Sequence, residues 1–387
     1  MSSTVAAANV QIVKLDATSK KDLQQFIDFP HDLYAGDPNY VPMLFDEQET
    51  LLNPKKSAFF LHSTATYFLA KQGNKIVGRI AAIRNNNHMN FTNTKEGFFG
   101  FFDVVNDYEV AKALLDTAKD WLKNEGLNKM IGPSSFSTNE VVGCLLENFD
   151  EPSFIMNGYN KSYYNDLLQR YGCGKYTDLI CYEVFGYQAE KWRPFMEVAD
   201  KIEKRLAERG YTIRHLDMKK YSVEVESFLG IYNQIWAENT GFVPMTDAEV
   251  RQIGKDFKPI IDKNYVFFAE KDGKMIGLTL SAPNVNEIMK NVHRGRLFPT
   301  GIFKIIYGLK IKKPKTLRVM ALGVLKEYRR LGIDAVFYAR LIKLGLEHGI
   351  ERAECSWILE HNVMMNRAME SIDARPYRKY RIYEKEI

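Results

Sequence analysis

Two short stretches of the chain share one pattern of aromatic, apolar and polar residues. Residues 68–78 and 267–277 align without gaps, each with an aromatic strand, a polar turn and an apolar strand that ends in Gly. Asn and Gly between two such segments are typical of a β-hairpin. The pattern therefore predicts one hairpin in each half. Unrelated hairpins can share such a pattern by chance, so a duplication depends on what surrounds them.

The segments around the two hairpins also follow one order. Each hairpin is preceded by helix-patterned segments and followed by strand, helix, strand, helix and strand. In the first half the predicted elements are strands at 80–83, 97–102, 129–131 and 179–185 and helices at 107–125 and 162–170. In the second half they are helices at 195–209, 223–238, 333–348 and 364–372 and strands at 211–215, 317–324, 353–359 and 377–383. This order predicts a duplicated α/β (α+β) chain with domains at 1–188 and 189–387.

Composition adds limits to this picture. The 387 residues suffice for two domains, and 45% hydrophobic with 26% charged residues is typical of soluble globular proteins. No apolar run approaches the roughly 20 residues that cross a bilayer, and the first residues lack the features of a secretory signal. The net charge of +5 does not by itself indicate nucleic-acid binding. We expect a cytoplasmic protein without a nucleic-acid partner.

The cysteines fit that expectation. They are scattered, without the spacing of metal ligands, and they suit a reducing compartment. The cysteines are Cys144, Cys173, Cys181 and Cys355. The sequence therefore predicts no metal site.

The most specific pattern is a basic turn between strand 317–324 and helix 333–348. Backbone N–H groups at a helix start, and the positive end of the helix dipole, favour a bound anion. Arg329 and Arg330 add positive charge, and Gly332 permits a close approach of backbone to ligand. An ordinary strand–turn–helix with a solvated arginine pair has the same residues. The pattern alone leaves both interpretations open.

The stretch resembles the acyl-CoA-binding motif of the GNAT superfamily of N-acyltransferases, Val-x-x-x-x-Arg-x-x-Gly-x-Gly/Ala. Val324, Arg329 and Gly332 match, while Asp334 replaces the second small residue and is expected to face away from the diphosphate or to cap the helix. The resemblance implies that acyl-CoA, acetyl or long-chain, is the cosubstrate. The cofactor-binding residues it implies are Leu322, Val324, Arg329, Arg330, Leu331, Gly332, Ile333, Asp334 and Asn362.

The resemblance covers most of the chain. It implies a tandem GNAT fold, with a mixed, mostly antiparallel sheet flanked by helices in each half. The first half has an acidic stretch, 103–107, where the basic turn belongs. Two carboxylates there would repel a diphosphate. We therefore expect the first domain to be a degenerate copy that shapes the acceptor site or stabilises the second domain.

Transfer to an amine needs a proton acceptor near the amine. Glu360 and His361 follow strand 353–359, where loops gather functional groups, and a neutral His can act as a base. Both residues could instead only cap the next helix. Many GNAT proteins carry a Tyr acid seven residues after the Asn, where this chain has Met369. Tyr380 or Tyr383 on the last strand could replace it, with Tyr383 as the predicted catalytic residue, although strand tyrosines are often packing residues.

Residues 293–313 alternate aromatic and aliphatic residues with six Lys and Arg and contain no Asp or Glu. Such a composition is typical of an element that lies on an anionic membrane or covers an acyl chain. A buried helix flanked by solvated lysines explains it as well. On the first of these interpretations, the segment makes a peripheral contact with the inner face of the membrane.

Several phrases of the chain resemble a bacterial branch of large GNAT-like proteins that includes the bacterial ceramide synthases. The phrases are 132–140, 159–164, 241–244, 356–360 and 380–383. This resemblance implies an N-acyltransferase that acts on a small-molecule or lipid amine, including a sphingoid amine. A non-catalytic acyl-CoA-binding or lipid-binding protein on a GNAT scaffold is the alternative. Aminoacyl-tRNA-dependent transfer is disfavoured, because tandem GNAT enzymes of that kind lack a CoA-binding turn.

Overall fold

The computed structural model describes residues 9–137, 139–239 and 241–387. The start of the chain, for which the sequence predicts no secretory signal, lies outside the described residues. The rest forms two compact units. The first unit contains residues up to Asp178 together with His293–Leu297 and Tyr380–Ile387, and the second contains Leu179–Val292 and Phe298–Lys379. Independent folding on either side of the 188/189 boundary stays a prediction.

The regular elements alternate along the chain. The strands are β1 (Val10–Lys14), β2 (Thr64–Gln72), β3 (Lys75–Arg84), β4 (Glu96–Val104), β5 (Lys129–Gly132), β6 (Cys144–Leu145), β7 (Gly174–Phe185), β8 (Tyr211–His215), β9 (Val266–Lys271), β10 (Lys274–Pro283), β11 (Thr316–Val324), β12 (Arg352–Leu359) and β13 (Arg375–Glu386). The helices are α1 (Lys20–Leu33), α2 (Phe45–Leu52), α3 (Asn86–Thr92), α4 (Tyr108–Asn124), α5 (Tyr163–Arg170), α6 (Ala189–Glu208), α7 (Tyr221–Trp236), α8 (Asp247–Phe257), α9 (Asn286–Met289), α10 (Gly301–Tyr307), α11 (Ile333–Glu347) and α12 (Val363–Ser371).

In the first unit the strands pair in the order β1-β2-β3-β4-β5, and the end of β13 follows β5. Only β4 and β5 run parallel among these pairs. Helix α4 contributes an apolar face to the core of this unit, because its apolar residues recur at helical spacing. Leu114, Leu115 and Ala118 of that face are fully buried.

The second unit has the same plan. Its strands pair in the order β8-β9-β10-β11-β12, followed by the Leu179–Phe185 part of β7. Only β11 and β12 run parallel among these pairs. Helices α6 and α11 pack together on one apolar cluster, and α7 packs on another. This arrangement confirms the predicted mixed, mostly antiparallel sheet in two copies.

The periodic segments were located well by their patterns. Both predicted hairpins exist, as β2–β3 and β9–β10. Helix α11 begins at the predicted residue, Ile333, and helix α4 follows Asp107. The side chain of Asp107 accepts hydrogen bonds from the first turn of α4, which explains where that helix starts.

Candidate active site

Strands β11 and β12 separate part of the way along their length. Their parallel pairing joins Thr316–Val319 to Arg352–Cys355 and ends there. Both strands continue, β11 to Val324 and β12 to Leu359. We call the space between their unpaired ends the strand gap. Backbone groups released from a ladder can bind an extended ligand that carries amides of its own.

An irregularity in β11 accompanies the separation. Leu280 of β10 lies opposite Ala321 and Ser281 lies opposite Val319, so Met320 is an extra residue in β11. Such a bulge bends a strand and re-aims its groups, and bulges are common next to active sites. The bulge thus lies immediately after the last residue of β11 that pairs with β12.

The turn after β11 has the features of an anion site. We call residues 325–332 the anion turn. Arg330 (φ 70°) and Gly332 (φ 81°) both have left-handed backbone conformations. Gly332 is the N-cap of α11, and none of the described side chains caps this helix. Its first N–H groups and the positive end of its dipole therefore face the turn without a capping side chain.

The arginines of the turn are placed to add charge. Arg329 and Arg330 are both exposed. The Nε of Arg329 donates a 3.2 Å hydrogen bond to the carbonyl of Val324, which anchors the side chain at the end of β11. The side chain of Asp334 is exposed, in the first turn of α11. An acidic residue there reduces the positive potential of the turn.

The corresponding turn of the first unit is closed by its own carboxylate. Oδ1 of Asp107 accepts from the N–H groups of Glu109 at 2.9 Å and Val110 at 3.5 Å. Asp103 is buried and forms an ion pair of 2.8 Å with Arg79. Where the second unit has uncapped N–H groups and arginines, the first unit thus has a satisfied helix start.

The remaining predicted cofactor residues have mixed surroundings. Val324 and Ile333 are buried in the core beneath α11, and Leu322 and Leu331 are partly buried beside it. Their backbones, rather than their side chains, are therefore available to a ligand. Asn362 caps α12, because its Oδ1 accepts from the N–H of Met365 at 3.2 Å.

Two of the predicted catalytic residues lie together between β12 and α12. Glu360 and His361 both have exposed side chains. Met369, at the position where the resemblance places a Tyr acid, is fully buried in the core of the second unit. The end of β12 thus offers a carboxylate and an imidazole but no hydroxyl at that position.

Tyr383, the predicted catalytic acid, has the surroundings of a packing residue. Tyr383 belongs to the first unit, whereas Glu360 and His361 belong to the second. Its side chain is 1% exposed, and its hydroxyl donates a 2.9 Å hydrogen bond to Oδ1 of Asn165. Burial also raises the pKa of Tyr383 above its ordinary value. Tyr383 is therefore a core residue of the first unit.

Sequence reasoning missed a buried polar network beside the strand gap. Glu354 of β12 is fully buried, and it accepts hydrogen bonds from Ser356 (2.6 Å) and from Tyr377. The Nε of Arg318 donates to Oγ of Ser356 at 3.0 Å. Burial and the charge of Glu354 raise the pKa of Tyr377, so this phenol remains a proton donor. Single charged residues inside the apolar strands 317–324 and 353–359 were the available signal.

Trp357 follows this network on β12. Its indole N–H is buried, and no hydrogen-bond acceptor for it exists among the described residues. The guanidinium of Arg318 lies 5.0 Å from the centre of the indole ring. An unused buried donor at the strand gap is a group that a ligand could satisfy.

The predicted membrane segment, 293–313, is divided between the units. Its first part belongs to the first unit, where Arg296 pairs with Asp28 at 2.8 Å and Arg294 pairs with Asp32. The second part presents exposed apolar side chains among lysines. These side chains are Phe298, Phe303, Ile306, Tyr307 and Ile311. We call residues 298–313 the apolar–basic segment.

In the part of the chain that the structure describes, no helix combines the length and the apolar character needed to cross a bilayer.

The chain can be compared with known proteins. No protein-family model matches it. It is 33% identical over 386 residues to the bacterial ceramide synthase of Caulobacter vibrioides (strain NA1000 / CB15N). The aligned region covers 98% of this chain and 99% of the relative. It is also 33% identical over 373 residues to protein YghO of Escherichia coli (strain K12). That aligned region covers 95% of this chain and 94% of YghO.

Among solved structures, the tandem GNAT protein from the clavulanic acid biosynthesis pathway (without AcCoA) matches the fold. The TM-score is 0.55 at 12% sequence identity, and the match covers 98% of each chain. This likeness establishes the tandem GNAT fold. The chain belongs to the family that contains the bacterial ceramide synthase of Caulobacter vibrioides and protein YghO.

Proposed function

We propose that the chain is an acyl-CoA-dependent N-acyltransferase whose second unit moves an acyl group from the CoA thioester to a primary amine. The amine belongs to a lipid, of the sphingoid class. One observation carries the proposal. Strand β11 borders the strand gap, and it leads directly into the anion turn. The relative named as a bacterial ceramide synthase supports the lipid amine, because the identity extends over nearly the whole of both chains.

In this proposal the anion turn holds the diphosphate of CoA. Arg329 and Arg330 supply charge, and the N–H groups of the turn and of the first turn of α11 supply hydrogen bonds. The amides of the pantetheine arm pair with the backbone of β11 near Leu322 and Val324. The thioester then lies toward the base of the strand gap, and the start of α12 at Asn362 flanks the arm.

The reaction needs few groups. The neutral amine nitrogen attacks the thioester carbon and forms the C–N bond, the C–S bond breaks, and its electron pair leaves with sulfur. Glu360 or His361 accepts the proton that the nitrogen loses, directly or through one water. An ordinary thiol pKa near 8.5 makes the thiolate a good leaving group that water can protonate. Met369 in place of an acid is therefore compatible with the transfer.

A direct test follows free thiol from acetyl-CoA or palmitoyl-CoA, each with and without a sphingoid amine. We expect amine-dependent thiol release, and palmitoyl-CoA as the better donor. The paired substitution Arg329→Glu with Gly332→Glu should weaken CoA affinity by at least roughly tenfold, because it places negative charge at the diphosphate. Arg193→Glu, at an exposed arginine of α6, is the matched control. Unchanged CoA affinity in the paired variant would refute the site.

A non-catalytic acyl-CoA-binding protein is the second candidate, and the buried Met369 favours it. The two candidates make opposite predictions for thiol release. A binding protein holds acyl-CoA with an affinity that depends on Arg329, yet releases no thiol when any amine is added. Amine-dependent release that is lost in Glu360→Gln or His361→Gln would exclude this candidate.

We also propose that the protein is cytoplasmic and binds the anionic inner face of the membrane through its apolar–basic segment. Phe303 is 70% exposed and Ile311 is 68% exposed, and lysines 304, 310, 312 and 313 lie among such residues. Exposed aromatic and aliphatic side chains insert at the headgroup level, and each nearby Lys adds about 1 kcal/mol on an anionic surface. A lipid amine would reach the enzyme from the same surface.

A further inference from the structure

An apolar cavity of about 60 Å³ lies in the second unit. It lies between α11 on one side and β7, β11 and β12 on the other, and Trp192 of α6 also lines it. The charge of Arg352, on its wall, is matched by an ion pair with Glu183. An apolar cavity of this kind offers water too few polar partners and favours an apolar guest.

One end of the cavity reaches the base of the strand gap. Val319 and Cys355 both line it, and they form the last pair of the parallel ladder between β11 and β12. Tyr338 of α11 lines the same end. In the proposed function the thioester carbonyl lies near this point. The cavity therefore starts where an acyl chain would leave the carbonyl.

The other end of the cavity opens toward solvent. Leu346 lines it and is 36% exposed. From Tyr338 to Leu346 the helix rises about 12 Å, at about 1.5 Å for each residue. An extended alkyl chain advances about 1.25 Å for each C–C bond, so roughly ten carbons span this distance. A chain of fatty-acid length thus matches the cavity better than an acetyl group does.

Gly345 widens the cavity at its far end. This glycine lies inside α11 without a left-handed backbone, and a Cβ there would meet only the Cβ of Ile350, at 3.6 Å. Glycine in a helix interior lowers helix stability relative to alanine. Neither backbone conformation nor steric crowding requires glycine at this position. The open space beside it is consistent with a functional reason.

We infer that this cavity holds the distal part of a long, unbranched acyl chain and sets the chain-length preference of the second unit. The inference rests on the proposed function, since it needs the thioester at the strand gap. It goes further by placing the acyl chain in this cavity and by giving the cavity control over chain length. Each methylene buried in the cavity contributes roughly fourfold to affinity, so chain length is discriminated by burial.

The test measures the affinities of CoA, acetyl-CoA, decanoyl-CoA and palmitoyl-CoA for the full chain, without an amine. Gly345→Leu fills the far end and should lower the ratio of palmitoyl-CoA to acetyl-CoA affinity by at least about tenfold. Acetyl-CoA affinity should stay unchanged. Gly230→Leu is the control, because Gly230 lies on α7 and a Cβ added there would meet nothing within 4 Å. Leu346→Ala opens the far end and should raise the ratio.

The outcomes separate the inference from the proposed function. If the wild type binds neither CoA nor any thioester, the proposed function fails and the inference fails with it. If the wild type binds CoA but Gly345→Leu keeps the wild-type ratio at an unchanged melting temperature, only the inference is overturned. The cavity is then a packing feature. If Gly345→Leu unfolds, a wild-type ratio in Leu346→Ala overturns the inference in the same way.

Discussion

The hydroxyl of Ser356 donates a 2.6 Å hydrogen bond to Oε1 of Glu354, two residues earlier on β12. Tyr377 donates to the other carboxylate oxygen, and the Nε of Arg318 lies 3.7 Å from Oε1. An ionised carboxylate without partners is strongly destabilised in a protein interior. These donors therefore explain how Glu354 can be fully buried beside the strand gap.

The first prediction concerns this network. Glu354→Ala leaves the buried Arg318 without its counter-charge, so we expect a loss of about 3–5 kcal/mol in the free energy of unfolding, measured in urea. Glu351→Ala is the control, because Glu351 forms an exposed ion pair with Lys315 and should lose less than about 1 kcal/mol. Similar small losses in both variants would show that the network does not hold β12 in place.

The second prediction concerns the two related helix starts. Asp107→Ala removes the cap of α4 and should lower the free energy of unfolding by about 1 kcal/mol without changing CoA affinity. Asp334→Ala, in the first turn of α11, should leave stability nearly unchanged and raise CoA affinity, since it removes negative charge from the anion turn. A fall in CoA affinity in Asp107→Ala would contradict the expectation that the first unit is degenerate.

The elements that could be predicted from the sequence are those that local periodicity and turn residues determine. Both hairpins, helix α4 and helix α11 have strong patterns, and the basic turn has a recognisable motif. Helix α8 was missed although it begins with a capping box of Thr246 and Glu249. Strand β1, at Val10–Lys14, was also missed, because a short run at the edge of a sheet has little pattern of its own.

The site was harder to predict because its geometry depends on pairing between distant strands. Nothing local in strand 317–324 indicates that its ladder with β12 ends at Val319. The partners of Glu354 come from residues 318 and 377, which only the fold brings together. The burial of Tyr383 was not predicted for the same reason, since the end of β13 pairs with β5 of the first unit. Position in sequence did not reveal that change of unit.

The third prediction concerns the apolar–basic segment. Phe303→Asp with Ile311→Asp should reduce binding to vesicles that contain anionic lipid by at least roughly tenfold, because it replaces two inserting side chains with charges. Leu61→Asp is the control, since Leu61 is 77% exposed but belongs to the first unit. Cosedimentation with anionic and with zwitterionic vesicles measures the effect. Equal binding of wild type and paired variant would rule out this segment as the contact.

The last prediction arises from a buried histidine of the first unit. The side chain of His31 is 8% exposed, and Nδ1 lies 3.0 Å from the hydroxyl of Tyr40. Its Nε2 is buried, with no hydrogen-bond partner among the described residues. Burial, together with the positive charges of Arg79, Arg294 and Arg296, lowers the pKa of His31 to about 4. The folded protein therefore holds this imidazole neutral at pH values where the unfolded chain protonates it.

The sign of the pH dependence follows from that difference. Between the ordinary pKa of 6.5 and about 4, the unfolded state binds the additional proton, so stability falls as pH falls through this window. The slope should approach about 1.4 kcal/mol for each pH unit. His31→Gln should flatten the curve of unfolding free energy between about pH 6.5 and 4.5, relative to the curve of the wild type. Parallel curves for wild type and His31→Gln would mean that His31 is not the group that titrates.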